Sequence, residues 1–292
     1  MSTGATRPTV GAVVLTMNDR PEEFPRAMAS LLTQEGVDLD VVVVGNGCTP
    51  EQVPPGVRTI TLAENAGIPE GRNIGAANVT GDYLFFFDND AILPTADALA
   101  RLAAELRDDP TLAYAQPRIA DPDTGVTLRR WVPRLRASDP ERPGTVTVMA
   151  EGVVMIRRSA YDTAGGWPGH FFLFHEGIDL AWRLWNDGGT GRYLPGIVVH
   201  HPATDPARHA AFYRLSARNR VWLARRNLPA VLVPLNLAAW VLLTLWRIRD
   251  RTALRVSLAG FGEGLHGGHG PRAPMSWRTV ARLTRAGRPP VF

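Results

Sequence analysis

The chain has 292 residues, of which 45% are hydrophobic, and its 32 arginines and 28 acidic residues give a net charge of +4. This apolar content excludes a mainly disordered chain, and the length suits one large α/β domain with an added region, or two domains. The single cysteine excludes an internal disulfide and a zinc site built from cysteines. It favours the cytoplasm, as does a polar start without the pattern of a secretory signal.

The two parts of the chain have opposite net charges. Residues 207–292 contain 15 arginines and two acids, a net +13, so residues 1–206 contain 17 arginines and 26 acids, a net −9. A basic C-terminal region indicates contact with an anionic surface, either lipid or nucleic acid. Nucleic acid is disfavoured because no platform of interleaved aromatic and basic residues accompanies the arginines.

The first part of the chain alternates β-branched apolar runs with helical patterns, which is typical of βαβ units. We therefore predict an α/β fold with a mostly parallel, Rossmann-like central sheet flanked by helices. The predicted strands are 10–15, 39–44, 57–62, 85–87, 113–116, 153–156 and 197–201, and the predicted helices are 24–34, 68–79 and 96–107. Residues 121–144, rich in Pro, Arg and Asp, are predicted to form an excursion from the sheet.

The fourth predicted strand ends in two acids, Asp88 and Asp90, on either side of Asn89. The carboxyl ends of parallel strands are where open α/β sheets bind ligands, and carboxylates there suit a divalent cation that carries phosphates. An acidic turn is the alternative interpretation, because Asp and Asn also favour turns through local hydrogen bonds.

Five segments in order make the chain resemble the family 2 glycosyltransferases of the GT-A fold, and among them the rhamnosyltransferase-like members. The segments are 64–67 (ENAG), 71–75 (GRNIG), 88–90 (DND), 165–167 (GGW) and 176–180 (EGIDL). The resemblance covers residues 8–206, with a nucleotide-sugar half at about 8–95 and an acceptor half at about 96–206. It implies inverting transfer from an NDP-sugar, with dTDP- or UDP-linked donors favoured and a GDP-linked donor as the alternative, to a glycan, a lipid-linked acceptor or another hydroxyl.

The resemblance also implies roles for individual residues. Asp88 and Asp90, with one of His200 and His201, would hold Mn²⁺ or Mg²⁺, because imidazole suits a third ligand beside two carboxylates. Adjacent residues of a strand point to opposite faces, so only one of the two histidines is expected at the site. The residues expected to bind the nucleotide sugar are Thr16, Asn18, Asp19, Asn46, Asn65, Arg72, Asn73, Asp88 and Asn89.

On the acceptor side, a carboxylate must take the proton of the attacking hydroxyl. The acidic pair of the family is Glu176-Gly177 in this chain, so Glu176 is the first candidate base and Asp179 the second. Asp179 has an alternative role in capping its helix. An aromatic face for the acceptor is expected from Trp167, His170 and Phe172, with core packing as the alternative for Phe172.

Two departures from the family pattern favour other functions. Gly45 stands where the family commonly has an Asp that selects the base, and Gly177 replaces an acid, so a catalytically impaired scaffold is one alternative. A sugar-phosphate nucleotidyltransferase is another, disfavoured because the chain has no lysine to bind phosphates.

The C-terminal region, 207–292, is predicted to be helical and basic. Residues 207–226 form an amphipathic pattern, and 228–246 are nineteen uncharged residues, long enough for a membrane span but interrupted by two prolines and flanked by arginines. We expect peripheral membrane contact through 207–265, with Trp240 and Trp246 at the interface, on the inner face of the cell membrane. Packing on the catalytic domain or on a partner in a homodimer is the alternative.

Overall fold

The computed structural model describes residues 6–133, 139–150, 152–203 and 211–291, and it confirms the α/β class. Within these residues one sheet of eight strands runs in the order β3-β2-β1-β4-β7-β5-β8-β6. The strands are β1 (Thr9–Thr16), β2 (Asp38–Asn46), β3 (Arg58–Leu62), β4 (Tyr83–Asp88), β5 (Leu112–Ala120), β6 (Gly144–Val146), β7 (Val153–Arg157) and β8 (Thr190–His200).

The first four strands are parallel, so their carboxyl ends meet at one edge. The register pairs Leu15 with Asp88 and Thr16 with Gly45, which brings the ends of β1, β2 and β4 together. β7 then pairs antiparallel with both β4 and β5, while β5 and β8 are parallel. The acids that follow β4 therefore lie at the centre of the sheet edge.

Helices cover both faces of the sheet. They are α1 (Glu23–Leu32), α2 (Ile68–Ala77), α3 (Ala98–Asp108), α4 (Arg158–Ala164), α5 (Glu176–Asn186), α6 (Phe212–Asn227), α7 (Leu232–Arg247), α8 (Arg251–Leu265) and α9 (Trp277–Arg285). Strand residues alternate between two cores, as the two-residue period requires: Phe85 packs in the cluster with α1 and α3, and Phe86 in the other cluster.

The C-terminal helices share the second core. Leu228 and Leu283 are fully buried in the same cluster as Phe86, so α6 and α9 are packed onto the sheet domain. By contrast, Leu242 and Trp246 of α7 are each 65% exposed. The predicted alternative, in which C-terminal helices pack on the catalytic domain, thus holds for α6 and α9.

The apolar run predicted at 228–246 becomes α7, which begins at Leu232. Leu228 precedes Pro229 and is extended, so this residue separates α7 from α6. Across the described ranges, no helix has the length and apolar character needed to cross a membrane. The predicted helix 207–226 corresponds to α6, but its first residues and the predicted domain boundary at 206 lie outside the described residues.

Candidate active site

Asp88, Asp90 and His201 converge at the carboxyl edge of the sheet. Asp88 ends β4, and His201 follows β8, whose last residue forms a backbone bridge with Ile92 just beyond the two acids. Nε2 of His201 lies 3.1 Å from Oδ1 of Asp90 and 3.4 Å from Oδ2 of Asp88. One ligand atom from each of the three residues lies within 4.8 Å of the others. The structure thus brings His201 into the cluster, and His200 is not part of it.

The charges of the cluster are strongly coupled. Burial opposes a charged imidazole, but hydrogen bonds and the negative charges of Asp88 and Asp90 raise the pKa of His201 to about 10. Burial likewise opposes ionisation of Asp90, yet His201 and the nearby Arg20 bring the pKa of its carboxyl below the usual 3.8. The carboxylates of Asp88 and Asp90 therefore stabilise a proton on Nε2 of His201. A metal cation can bind in place of that proton.

The donor set fits a divalent cation of the Mn²⁺ or Mg²⁺ type. Carboxylate oxygens and one imidazole nitrogen are suitable ligands for such ions. Nδ1 of His201 lies 2.9 Å from the carbonyl oxygen of Pro202, and donation from Nδ1 leaves Nε2 as the atom directed at the acids. The ring is also packed edge-on against Trp131, with the centroids 5.8 Å apart.

Arg72 joins the cluster from α2. It is 4% exposed, and its Nη2 donates to Oδ1 of Asp88 at 2.9 Å, while its Nη1 has no hydrogen-bond partner among the described residues. The helix lies close to β1 because Gly71 and Gly75 face it: a Cβ on Gly71 would lie 2.7 Å from Leu15. Arg72 therefore offers an unused buried donor beside the cluster, as a phosphate-binding arginine does.

Several of the predicted nucleotide-binding residues shape loops at this edge. Oδ1 of Asn46 accepts from the backbone N–H of Ala66 at 2.8 Å, and Nδ2 of Asn46 donates to Oδ1 of Asn65 at 2.9 Å. Oδ1 of Asn65 also accepts from the N–H of Gly67. Asn18, with φ of +58°, donates to the carbonyl of Thr49.

Asn89 connects this edge to the loop after β1. Its Nδ2 lies 3.5 Å from Oγ1 of Thr16 and 3.3 Å from Oδ1 of Asp19, so these three predicted residues lie together.

Asn73 is different, because its amide is bonded to both the N–H and the carbonyl of Trp167 and to the hydroxyl of Tyr161. Those bonds give Asn73 a structural role in the loop at 165–167.

Gly45 is glycine for a steric reason. A Cβ at this position would overlap the carbonyl oxygen of Cys48 and lie 2.7 Å from Cδ of Pro50. The aspartate that the family commonly has here is incompatible with this turn.

Glu176 is the first residue of α5, is 3% exposed and lines a cavity of about 640 Å³ that also reaches Asp88, His201 and Arg72. The segment before it is strained: φ is +67° at Phe172, +72° at Phe174 and +69° at His175. Such conformations cost of order 1–3 kcal/mol per residue and persist only where the surroundings enforce them.

Helix α6 and the first residue of α2 hold the strained segment. Nδ2 of Asn219, which is fully buried, donates to the carbonyls of Phe171, Leu173 and Phe174 at 3.0, 2.7 and 2.9 Å. The N–H of Ile68 donates to the carbonyl of Phe172 at 2.8 Å. Long-range hydrogen bonds thus fix the position from which Glu176 enters the cavity. The sequence gives no signal for this contribution of Asn219.

Asp179 does not reach the cavity. It is fully buried, and its two oxygens accept from Arg183, from Arg226 at 3.0 Å and from Nδ2 of Asn227 at 2.7 Å. Burial alone would raise the pKa of Asp179, but the two guanidinium charges and the Asn227 bond lower it. These contacts give Asp179 a structural role between α5 and α6, which differs from the helix capping expected as its alternative.

The three aromatic residues predicted to face the acceptor do not line this cavity. Trp167 is 2% exposed in the core, where it meets Phe86 edge-on, and His170 packs against Trp222. Phe172 is 38% exposed, yet none of Trp167, His170 and Phe172 lines the cavity. Among the described residues, the aromatic wall consists of Trp131, Phe212, Tyr213, Trp240 and Phe261, together with Phe174. Phe212 and Tyr213 belong to α6, and Trp240 belongs to α7. The sequence near Glu176 does not indicate that these helices reach the cavity.

The fold and this cluster define a glycosyltransferase of the GT-A type. The family model "Glycosyl transferase family 2" matches residues 12–165, and the chain belongs to that family. This is the family that the sequence motifs predicted.

Two curated relatives from Mycobacterium tuberculosis are glycosyltransferases. The chain is 27% identical over 253 residues to a pre-mycofactocin glycosyltransferase, covering 80% of this chain and 52% of the relative. It is 33% identical over 129 residues to an N-acetylglucosaminyl-diphospho-decaprenol L-rhamnosyltransferase, covering 42% and 36%. The chain thus spans about half the length, or less, of these relatives.

Solved structures agree on the fold. GalNAc-T7 with UDP, GalNAc and Mn²⁺ superposes with a TM-score of 0.62 at 15% identity, covering 89% of this chain and 56% of that one. The mannosyltransferase PcManGT from Pyrobaculum calidifontis, in complex with GDP-Man and Mn²⁺, gives 0.58 at 19% identity, covering 96% and 79%.

Proposed function

We propose that this protein transfers a sugar from an NDP-sugar, with inversion, to a hydroxyl of a glycan or lipid-linked acceptor, and that the transfer depends on Mn²⁺ or Mg²⁺. The observation that carries the proposal is the convergence of Asp88, Asp90 and His201 beside Arg72, in the cavity that Glu176 also lines. In this scheme residues 8–95 bind the donor, 96–206 form the acceptor half and 207–292 add a basic helical region.

Each residue has a defined task in this reaction. A cation bound by Asp88, Asp90 and His201 would supply Lewis acidity toward the leaving diphosphate. Arg72 donates to the phosphates, and its bond to Asp88 fixes the guanidinium in place beforehand. Glu176 accepts the proton of the acceptor hydroxyl as that oxygen attacks the anomeric carbon from the face opposite the diphosphate, which inverts the configuration.

The nucleotide is proposed from the sequence and from the structural neighbours. The relatives in solved structures carry UDP or GDP-Man, and the family resemblance favours a dTDP- or UDP-linked donor. Since Gly45 cannot carry the usual aspartate, base contacts fall to the edge that contains Asn46, Asn65 and Asn18.

The test is donor hydrolysis by the purified protein with dTDP-, UDP- and GDP-sugars and Mn²⁺, together with calorimetric binding of the donor. We expect Asp90→Asn to lose Mn²⁺-dependent donor binding. Glu176→Gln should bind the donor normally and lose turnover by about 100-fold or more. Asp97→Asn is the matched control, since Asp97 is an exposed acid at the start of α3. Equal Mn²⁺ dependence of Asp90→Asn and wild type would contradict the metal site.

Peripheral contact with the inner face of the cell membrane is part of the proposal. It is supported by the exposed apolar residues of α7, among them Leu235, Leu242 and Trp246, with four arginines in the following nine residues. A chain cut at residue 206 cannot test this, because Leu228 and Leu283 belong to the main core. The variant Leu242→Ser/Trp246→Ser should float less with anionic vesicles than wild type. Trp277→Ser, which changes an exposed tryptophan of α9, should float normally, and equal flotation of all three would exclude this surface.

A further inference from the structure

Arg220 of α6 is a buried cation at the wall of the active-site cavity. It is 7% exposed and lines the cavity together with Glu176 and His175. Within the described ranges it makes neither a hydrogen bond nor an ion pair, and its contact is the ring of Trp240, whose centroid lies 3.7 Å from Cζ. Burial, aided by the charge of Arg288, lowers the pKa of Arg220 to about 9, so the guanidinium is still charged at neutral pH.

Other buried arginines of the same helix have partners. Arg218 donates to the carbonyl of Phe171 at 2.9 Å, and Arg226 donates to Asp179 at 3.0 Å. Burying a cation without such partners costs several kcal/mol, and stacking on an aromatic ring returns about 2 kcal/mol at most in a desolvated site. Among the described residues no anion compensates the charge at this position, which is expected where a ligand supplies the missing anion.

Arg220 comes from a different part of the fold than the proposed donor-phosphate ligands. The proposed donor-phosphate ligands belong to β4, α2 and the end of β8, whereas Arg220 belongs to the wall built by α6 and α7. Arg247, at the end of α7, lines the same wall. A planar guanidinium binds the oxygens of a phosphate or a carboxylate in a bidentate manner.

From these observations we infer that Arg220 and Arg247 form a subsite for an oxyanion carried by the acceptor, either a phosphate ester or a carboxylate. The inference rests on the proposed function, because it assigns the substrate class of the same cavity. The acceptor is then an anionic molecule whose charged group is held by α6 and α7 while its hydroxyl faces Glu176.

The experiment measures anion binding in EDTA, so that no metal-bound phosphate contributes. Thermal unfolding and calorimetry are recorded with inorganic phosphate, pyrophosphate and acetate for wild type, Arg220→Gln, Arg220→Lys and Asp90→Asn. Arg214→Gln is the matched control, since Arg214 lies on the same helix but is exposed and paired with Glu263.

We expect Arg220→Gln to weaken anion binding by about tenfold or more without lowering the melting temperature of the free protein, because the variant removes an unpaired buried charge. Arg220→Lys keeps the charge without the planar fork and should weaken binding less, and it supplies a folded variant if glutamine destabilises. Arg214→Gln and Asp90→Asn should bind as wild type does. Phosphate binding without acetate binding assigns a phosphate ester, and the reverse assigns a carboxylate.

Unchanged binding in both Arg220 variants, or no anion binding by wild type, would overturn the subsite. Neither result affects donor hydrolysis with Mn²⁺, so a failure of this inference is distinguishable from a failure of the proposed transfer reaction.

Discussion

Replacing Asn219 by alanine should loosen the segment that delivers Glu176. The side chain donates to three carbonyls between Phe171 and Phe174, and all of these bonds are lost in the variant. The amide has two hydrogens for these three carbonyls, so at about 0.5–1.5 kcal/mol for each hydrogen bond the expected loss in the free energy of unfolding is about 1–3 kcal/mol. The carbonyls of Leu173 and Phe174 also lose their buried donor, whereas that of Phe171 keeps Arg218, which places the loss toward the upper end of that range.

The effect should be concentrated where the backbone is strained. Because φ is positive at Phe172, Phe174 and His175, the segment relaxes once the bonds that enforce it are gone. Hydrogen exchange should therefore accelerate most at residues 171–176, and donor turnover should fall more than donor affinity. Urea unfolding gives the stability, and exchange followed by mass spectrometry locates the change.

Asn78→Ala is the matched control for this prediction. Asn78 is exposed and makes one side-chain bond, to the carbonyl of Ile74 at 2.8 Å, so its loss should be below about 1 kcal/mol. A loss for Asn219→Ala no larger than that of Asn78→Ala would refute the reasoning that Asn219 holds the segment. So would faster exchange spread evenly over the chain.

Two further predictions concern buried ionisable groups. Burial and the charge of Arg220 hold the pKa of His175 well below 6.5. The neutral imidazole therefore contributes fully to the free energy of unfolding above pH 6.5, and this contribution decreases as the pH falls. Between pH 7.5 and pH 5.5, urea unfolding should show that wild type loses about 1 kcal/mol more of its free energy of unfolding than His175→Asn does. Asparagine is chosen because it tolerates φ near +69°. Equal losses would show that His175 titrates normally. Asp179→Asn should lower stability by about 3–5 kcal/mol, because it leaves Arg183 and Arg226 without their buried anion. A melting temperature equal to that of wild type would contradict the structural role of Asp179 and return it to the candidates for the catalytic base.

The metal cluster was the part of the site most accessible from the sequence. An apolar strand that ends in two acids places them at a sheet edge regardless of the rest of the fold, and the parallel register of β1, β2 and β4 confirms the edge. The choice between His200 and His201 was not accessible. β5 and β8 shift register between Pro117 and Arg118, where Leu194 and then Val198 are the partners, so counting residues along β8 does not give the face.

The aromatic wall of the cavity could not be predicted from the residues that are close to Glu176 in sequence. Trp167 and His170 precede Glu176 in sequence, but the turn at 165–167 directs Trp167 into the core under α2. The wall comes instead from Tyr213 and Trp240, on helices whose return to the cavity depends on long-range packing with α5 and α8. No periodicity within those helices indicates which domain surface they cover.

The turn after β2 limits how base preference can be changed in this enzyme. Introducing aspartate at Gly45 would place its side chain against the backbone of Cys48 and the ring of Pro50, so the substitution alone would deform the turn before it contacted any nucleobase. An engineered preference for one nucleotide has to begin with the length and path of residues 46–50. At the proposed donor site, the fit of the base thus depends on the path of this turn, and its redesign is a backbone problem.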